Sequence, residues 1–160
     1  MARAPYEDTN VAVEKSKADI MGLLDKEGVL GVQWTMIGPR TVLRFEVVIE
    51  EEPYMVQLIV DPEKSGRPFK YSSRSKKSAK EQQKGHVAQE SKRLHRTLWW
   101  YVKSKFEAVA SGLESPMSAW LPIIEGPRGK TIAQEMAPKM KSLSSGVDGM
   151  LKALPGEYSK

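Results

Sequence analysis

The chain contains no cysteine among its 160 residues, so disulfide bonds and thiolate metal sites are excluded. This absence fits a reducing compartment, and the N-terminus MARAPYEDTN has no apolar segment of the signal-peptide kind. Both features predict a cytoplasmic protein. No apolar run approaches the ~20 residues that a membrane span needs, so no membrane partner is predicted. The length favours a single domain.

Acidic side chains are nearly missing from residues 64–96. This stretch holds eleven of the 25 basic residues and only two acids, Glu81 and Glu90, which gives it a formal charge of +9. Because the whole chain carries +5, the other 127 residues carry −4. The stretch runs directly into Trp99, Trp100 and Tyr101. Basic charge beside aromatic side chains predicts a polyanionic partner.

Apolar periodicity predicts one helix followed by three strands. The helix is expected from Ser16, a plausible N-cap, to Glu27, because Ile20, Leu23 and Leu24 recur at helical spacing. Period-two alternation then predicts strands within residues 30–36, 42–49 and 55–60. Short connections between them favour an antiparallel meander whose apolar face must be covered. A short segment from Thr9 to Val13 could add a fourth strand.

The second half of the chain is predicted to be mostly helical. Residues 63–86, which we call the basic arm, lack apolar periodicity and are predicted to be mobile. A long helix from about Val87 to Ser111 is the expected cover for the sheet. A short helix after Ser115-Pro116 ends near Trp120, Leu121 to Ile124 could be extended, and a last helix begins at Thr131. The predicted fold is therefore α+β: an antiparallel three- to four-stranded meander covered by a long helix, with short flanking helices.

The domain boundaries follow from the same patterns. Residues 1–8 are predicted to be a flexible N-terminus, and residues 9–141 form one α+β domain that contains the basic arm. Residues 142–160 contain scattered apolar residues between glycines and a proline. We predict that they are either a flexible tail or a docking segment.

Two segments carry a resemblance to a known group of proteins. They are TNVAVEKSKADIMGLLDKEG (residues 9–28) and YVKSKFEAVASGLESPMSAWLPII (residues 101–124), the latter followed by a glycine turn and a threonine-started helix. This arrangement resembles a family of small uncharacterised phage and prophage proteins, which have a helix of the type I-K-A-K-L-E-A-V-x-x-G and a PDG-x-T turn. Residues 102–109 match the helix, whereas residues 126–130 replace the acidic turn. The resemblance implies a viral origin, location in an infected host cell and no settled activity.

The candidate nucleic-acid site combines the basic arm with the start of the long helix. Lysine and arginine neutralise phosphates, and an exposed aromatic ring can stack on an unpaired base for about 1–3 kcal/mol. Trp100 lies near Arg96 and Lys103 on the helix, so it is a better exposed candidate than Trp99. The predicted binding residues are Arg67, Lys70, Tyr71, Arg74, Lys76, Lys77, Lys80, Lys84, Lys92, Arg93, Arg96 and Trp100.

The leading hypothesis is a non-enzymatic, phage-type accessory protein that binds nucleic acid, preferably single-stranded, with low sequence specificity. The alternative is a protein-binding module, either a viral inhibitor or adaptor of a host complex or a small subunit of a larger assembly. Three further interpretations stay open. The arm could bind an acidic protein or pack against RNA inside a larger assembly. The arm could be a solvated loop that binds nothing specific, and the tryptophans could simply pack the helix on the sheet.

No catalytic, metal or cofactor site is predicted. His86 and His95 diverge on their helix and have no acid or thiol cluster beside them. Gly129-Lys130-Thr131 lacks the glycine five residues earlier that a phosphate-binding loop requires. The acids around the meander, such as Glu50 to Glu52, fit a solvated turn.

Overall fold

The computed structural model describes residues 6–139, which form a three-stranded antiparallel sheet with helices packed on one face. Its elements are α1 (Val13–Lys26), β1 (Gln33–Ile37), β2 (Arg40–Ile49), β3 (Glu52–Val60), α2 (Ala79–Ala110) and α3 (Pro116–Trp120). Single turns of 3-10 helix span Pro62–Lys64 and Leu121–Ile123, and residues 132–139 are helical. The α+β prediction is confirmed. The predicted tail at 142–160 lies outside the described residues.

Two tight hairpins connect the strands in the order β1-β2-β3. Ile37 pairs with Arg40 across the first turn, and Ile49 pairs with Glu52 across the second. Glu50 and Glu51 fill the second turn with φ values of 52° and 68°. Two successive positive φ values are what a type I′ hairpin turn requires, although side chains other than glycine and asparagine rarely adopt them.

The core lies between the sheet and the three helices. Four alternating residues of β2, Leu43, Phe45, Val47 and Ile49, are all buried. They pack with residues from α1, α2 and α3, so the cover is shared by three helices. Trp120 belongs to this core, and its ring packs edge-on against the Phe45 ring at 5.7 Å between centroids.

Two predicted extended segments and one predicted helix N-cap are wrong. Residues 9–12 form no strand, and Val13 begins α1, so the sheet has three strands in the described part of the chain. Gln89 of α2 donates to the Thr9 carbonyl at 3.1 Å, which ties this segment to a helix instead of a sheet edge. Ser16 is buried within α1 and is not its N-cap. After α3, Leu121–Ile123 form a 3-10 turn and only Ile124 bridges to Val56.

Helix α2 begins at Ala79, well before the predicted start at Val87. A capping box fixes this start: the Glu81 amide donates to the Ser78 hydroxyl at 3.3 Å, and the Ser78 amide donates to the Glu81 carboxylate at 2.8 Å. Such a box satisfies amide groups that a helix end would otherwise leave without partners. The last part of the basic arm, residues 79–86, is therefore helical.

Candidate nucleic-acid interface

The base of the basic arm is attached to α2. Arg67 forms an ion pair with Glu90, with Nη1 3.0 Å from Oε1, and its Nη2 contacts the Glu7 carboxylate. The Nε2–H group of His86 donates to the Arg67 carbonyl at 3.2 Å, and the Phe69 ring lies 5.8 Å from the His86 ring between centroids. These contacts hold the base of the arm against α2, and the Arg67 side chain takes part in them.

Glu90 is the buried acid that organises this attachment. Its side chain is 1% exposed and accepts hydrogen bonds from Arg93 Nε at 3.0 Å and Nη2 at 2.8 Å. Burial opposes ionisation of the carboxyl, but hydrogen bonds from Arg93 and Ser65 and the charges of Arg93 and Arg67 outweigh it, so the pKa of Glu90 lies below its ordinary value. Glu90 is thus a charged partner for two arginines.

The predicted role of Arg93 in binding is corrected by this geometry. Arg93 is 8% exposed and both of its contacts go to Glu90, so its guanidinium has no access to a phosphate at the surface. The i,i+3 spacing of Glu90 and Arg93 on α2 brings the two groups together. Arg93 therefore belongs to the attachment of the arm and is not part of the candidate interface.

Arg96 connects α2 to α1. Its Nη1 lies 2.8 Å from Asp19 Oδ2, and its guanidinium lies 4.1 Å from the centroid of the Trp99 ring. Lys15 donates a hydrogen bond to the same carboxylate, and this bond, followed by those of Arg96 and by both charges, lowers the pKa of Asp19 against the effect of burial. Arg96 is therefore paired with the acid Asp19 and stacked on the ring of Trp99.

The side chain of Gln82 holds the middle of the arm. Its Oε1 accepts from the Ser72 amide at 2.9 Å, and its Nε2 donates to the carbonyls of Ser72 and Lys77 at 3.1 and 2.9 Å. We call residues 72–77 the Gln82 loop. One amide thus closes both ends of this loop against the first turn of α2, and Arg74 and Lys76 project from the loop into solvent.

The arm and the first turns of α2 present a set of free cations. None of the residues in this set forms an ion pair within residues 6–139, and all are exposed. Tyr71 lies among them and is 59% exposed. The nearby acid Glu81 accepts hydrogen bonds from Ser78 in the capping box, and these bonds, with a smaller effect of the Lys77 charge, lower its pKa. The set comprises Lys64, Lys70, Arg74, Lys76, Lys77, Lys80 and Lys84.

Trp100 belongs to a second, separate surface. With a rise of about 1.5 Å per residue, it lies roughly 30 Å along α2 from Lys80. It is 42% exposed, packs edge-on against Trp99 at 4.8 Å between centroids, and has Lys103 Nζ 5.0 Å from its ring centroid. The half-buried Lys92 lies between the two surfaces. The structure therefore does not bring Trp100 next to the arm.

Three features that shape this interface were not predicted from the sequence: the buried acid Glu90, the capping box and the side chain of Gln82. Glu90 was visible as one of the two acids in the basic stretch, and its spacing from Arg93 could have indicated the pair. The Ser78-x-x-Glu81 pattern could likewise have indicated the start of α2. Gln82 gave no signal, because its partners are backbone groups of a loop whose path the sequence does not specify.

The described residues offer no cluster of three or more histidine or acidic side chains that could hold a metal ion. Between residues 6 and 139, no helix is both long and apolar enough to cross a membrane. Comparison of the chain with protein-family models, with curated proteins and with solved structures found no match.

Proposed function

We propose that the protein is a non-enzymatic, phage-type accessory protein that binds nucleic acid through its basic arm. The observation that carries this proposal is the set of seven exposed basic side chains between Lys64 and Lys84, which form no ion pairs within the described residues. Cations that have no acidic partner gain most from phosphates, because each contact releases condensed counterions. Binding of this kind has low sequence specificity.

Single-stranded nucleic acid is the favoured ligand. Tyr71 lies between Lys70 and Arg74 and exposes 59% of its surface, so an unpaired base can stack on its ring while the neighbouring cations contact the backbone. The N-terminus of α2 is closed by its capping box, so the lysine and arginine side chains, and not the helix end, supply the affinity. The proposed setting is the cytoplasm of an infected cell.

The test is fluorescence anisotropy with labelled single-stranded and duplex oligonucleotides over a range of salt concentrations. The variant Arg74→Ala/Lys76→Ala/Lys77→Ala removes three contacts. We expect weaker binding to the single strand and a log–log salt slope that is shallower by about 2, at roughly 0.7 per lost phosphate contact.

A matched control separates a local site from net charge. Lys26→Ala/Arg128→Ala/Lys130→Ala also removes one arginine and two exposed lysines, so both triple variants lower the formal charge from +5 to +2. The control should bind like the wild type. Equal losses in the two variants, or no binding by the wild type at low salt, would refute the proposal.

A second candidate, the protein-binding module, is favoured by the outer face of the sheet. Val48, Met55 and Ile59 share this face, which is opposite the core-facing residues, and are 64%, 39% and 39% exposed. These three side chains stay exposed although Val42 and Gln57 on the same face are buried, and exposed apolar residues on a sheet face are typical of protein contacts. Under this alternative, Ile59→Lys abolishes capture of a partner and the arm variant does not.

A further inference from the structure

The two edges of the sheet differ. The edge of β3 is covered, because Ile124 bridges to Val56 and the Glu125 amide donates to the Met55 carbonyl at 2.7 Å. The edge of β1 is open: within residues 6–139, no segment other than β2 pairs with it. An open edge presents a row of amide and carbonyl groups that is complementary to another strand.

Strand β1 is short, at five residues, but it lacks the charge, the proline and the bulge by which edge strands avoid association. Its sequence, QWTMI, has no charge and no proline, and its pairing with β2 runs from Gln33 to Ile37 without a bulge. Two of its three apolar side chains are uncovered, since Met36 is 70% and Ile37 is 57% exposed, whereas Trp34 is half-buried. A neutral, regular and apolar edge is the kind that pairs with a second strand.

We propose that β1 pairs with β1 of a second copy of the chain, antiparallel, about a two-fold axis that passes through Thr35. In this register each Trp34 lies opposite the partner's Met36, and each Gln33 lies opposite the partner's Ile37. The contact is isologous, because the same five residues form both sides. The two three-stranded sheets then form one continuous sheet of six strands.

Self-complementarity argues for a second copy over an unrelated strand. Trp34 and Met36 both pair on the core-facing side of the sheet, opposite Leu43 and Thr41 of β2. The Trp34 indole is half-buried and held within its own chain, where its Nε1–H group donates to Met21 Sδ at 3.4 Å and its ring stacks on His95 at 6.4 Å between centroids. The proposed register places the partner's exposed Met36 beside this ring, a favourable sulfur–aromatic contact, and does so twice. Strand β1 itself carries no charge, although Lys17 of α1 places its Nζ 5.3 Å from the centroid of the Trp34 ring. The dimer is independent of the proposed nucleic-acid binding.

The absence of cysteine makes disulfide trapping a clean test. Directly opposed residues of antiparallel strands have Cα atoms about 4.5–5.5 Å apart, within the ~4.4–6.8 Å that a disulfide spans. Thr35→Cys should therefore form a disulfide dimer under mild oxidation in native buffer, and not in denaturant. Val48→Cys is the control, because it is exposed on the outer sheet face.

The uncrosslinked protein supplies a second measurement. Sedimentation equilibrium of the wild type should show dimer that increases with protein concentration, and Met36→Lys should stay monomeric. Circular dichroism checks that this variant keeps its fold, as expected for a side chain that is 70% exposed. A wild type that is monomeric at every concentration, or Thr35→Cys that crosslinks no faster than Val48→Cys, would overturn the proposal.

Discussion

Arg67 and Glu90 form an ion pair that joins the basic arm to the long helix across 23 positions of sequence, with Nη1 3.0 Å from Oε1. The same carboxylate accepts two hydrogen bonds from Arg93, so one buried acid balances two guanidinium groups. Without Glu90, Arg93 would be a buried charge with no acidic partner among the described residues. The pair therefore links stability of the domain to the position of the arm.

Replacing Glu90 by glutamine should destabilise the protein strongly. Removing one partner of a buried ion pair costs about 3–5 kcal/mol, because the other charge stays buried. We expect a loss of about 3 kcal/mol in the free energy of unfolding, since glutamine can still accept one hydrogen bond and Arg67 can be hydrated. Urea denaturation followed by circular dichroism measures this loss.

The control is Glu107→Gln, on the same helix. Glu107 pairs with Lys103 at 3.5 Å but its side chain is 65% exposed, and exposed pairs contribute about 0–1 kcal/mol. This variant should change the free energy of unfolding by less than about 0.5 kcal/mol. Similar losses in the two variants would show that burial of Glu90 is not the cause.

The sheet could be predicted from the sequence because period-two alternation reports directly on a half-buried strand. Leu43, Phe45 and Val47 face the core as that pattern requires. The start of α2 could not be found in this way. The turns around Lys80 and Lys84 are surrounded by solvent, so they carry no apolar stripe, and their helical state depends on the local capping box.

The charge of the candidate site could be predicted from the sequence, but the positions and partners of its side chains could not. A sequence shows that Arg93 and Lys77 are both basic, yet only the fold shows that one meets Glu90 and the other meets solvent. In the same way, only the structure shows that Trp100 lies far from the arm along α2. Composition thus predicts a class of partner, whereas burial and pairing determine which residues would be available to it.

Gln82→Ala should loosen the Gln82 loop without unfolding the domain. The variant removes the three hydrogen bonds to Ser72 and Lys77, and local opening of a surface loop has little effect on global stability. We expect faster tryptic cleavage after Arg74, Lys76 and Lys77, with an unchanged urea midpoint. Gln83→Ala, in an exposed neighbour that makes none of these bonds, should be cleaved at the wild-type rate.

Glu51→Gly should stabilise the protein. Glu51 has a φ of 68°, in the left-handed region that costs a side chain with a Cβ atom about 1–2 kcal/mol and glycine much less. After the larger backbone entropy of glycine is subtracted, we expect a gain of about 1 kcal/mol, seen as a higher urea midpoint. Glu51→Ala keeps the Cβ atom and should give no gain. Equal gains in both variants would point to charge relief at the turn.

Stability should fall as pH decreases below about 6.5, because of His95. The ring is fully buried, its Nδ1–H group donates to the Ser91 carbonyl at 2.7 Å, and its Nε2 has no hydrogen-bond partner among residues 6–139. Burial lowers its pKa below the ordinary value of 6.5, and the Lys17 charge adds to this, whereas the Ser91 bond and Glu14 oppose it. The unfolded chain therefore binds a proton at a higher pH than the folded protein.

The direction of the His95 pKa shift determines the pH range over which stability changes. The stabilisation from neutral His95 is complete above about pH 6.5 and is lost as pH falls toward the lower pKa of the folded state, by up to about 1.4 kcal/mol per pH unit. Urea midpoints between pH 7.5 and 5 should show this slope in the wild type and in His86→Gln. They should show little slope in His95→Phe, whose ring does not titrate. A slope that persists in His95→Phe would assign the effect to another group.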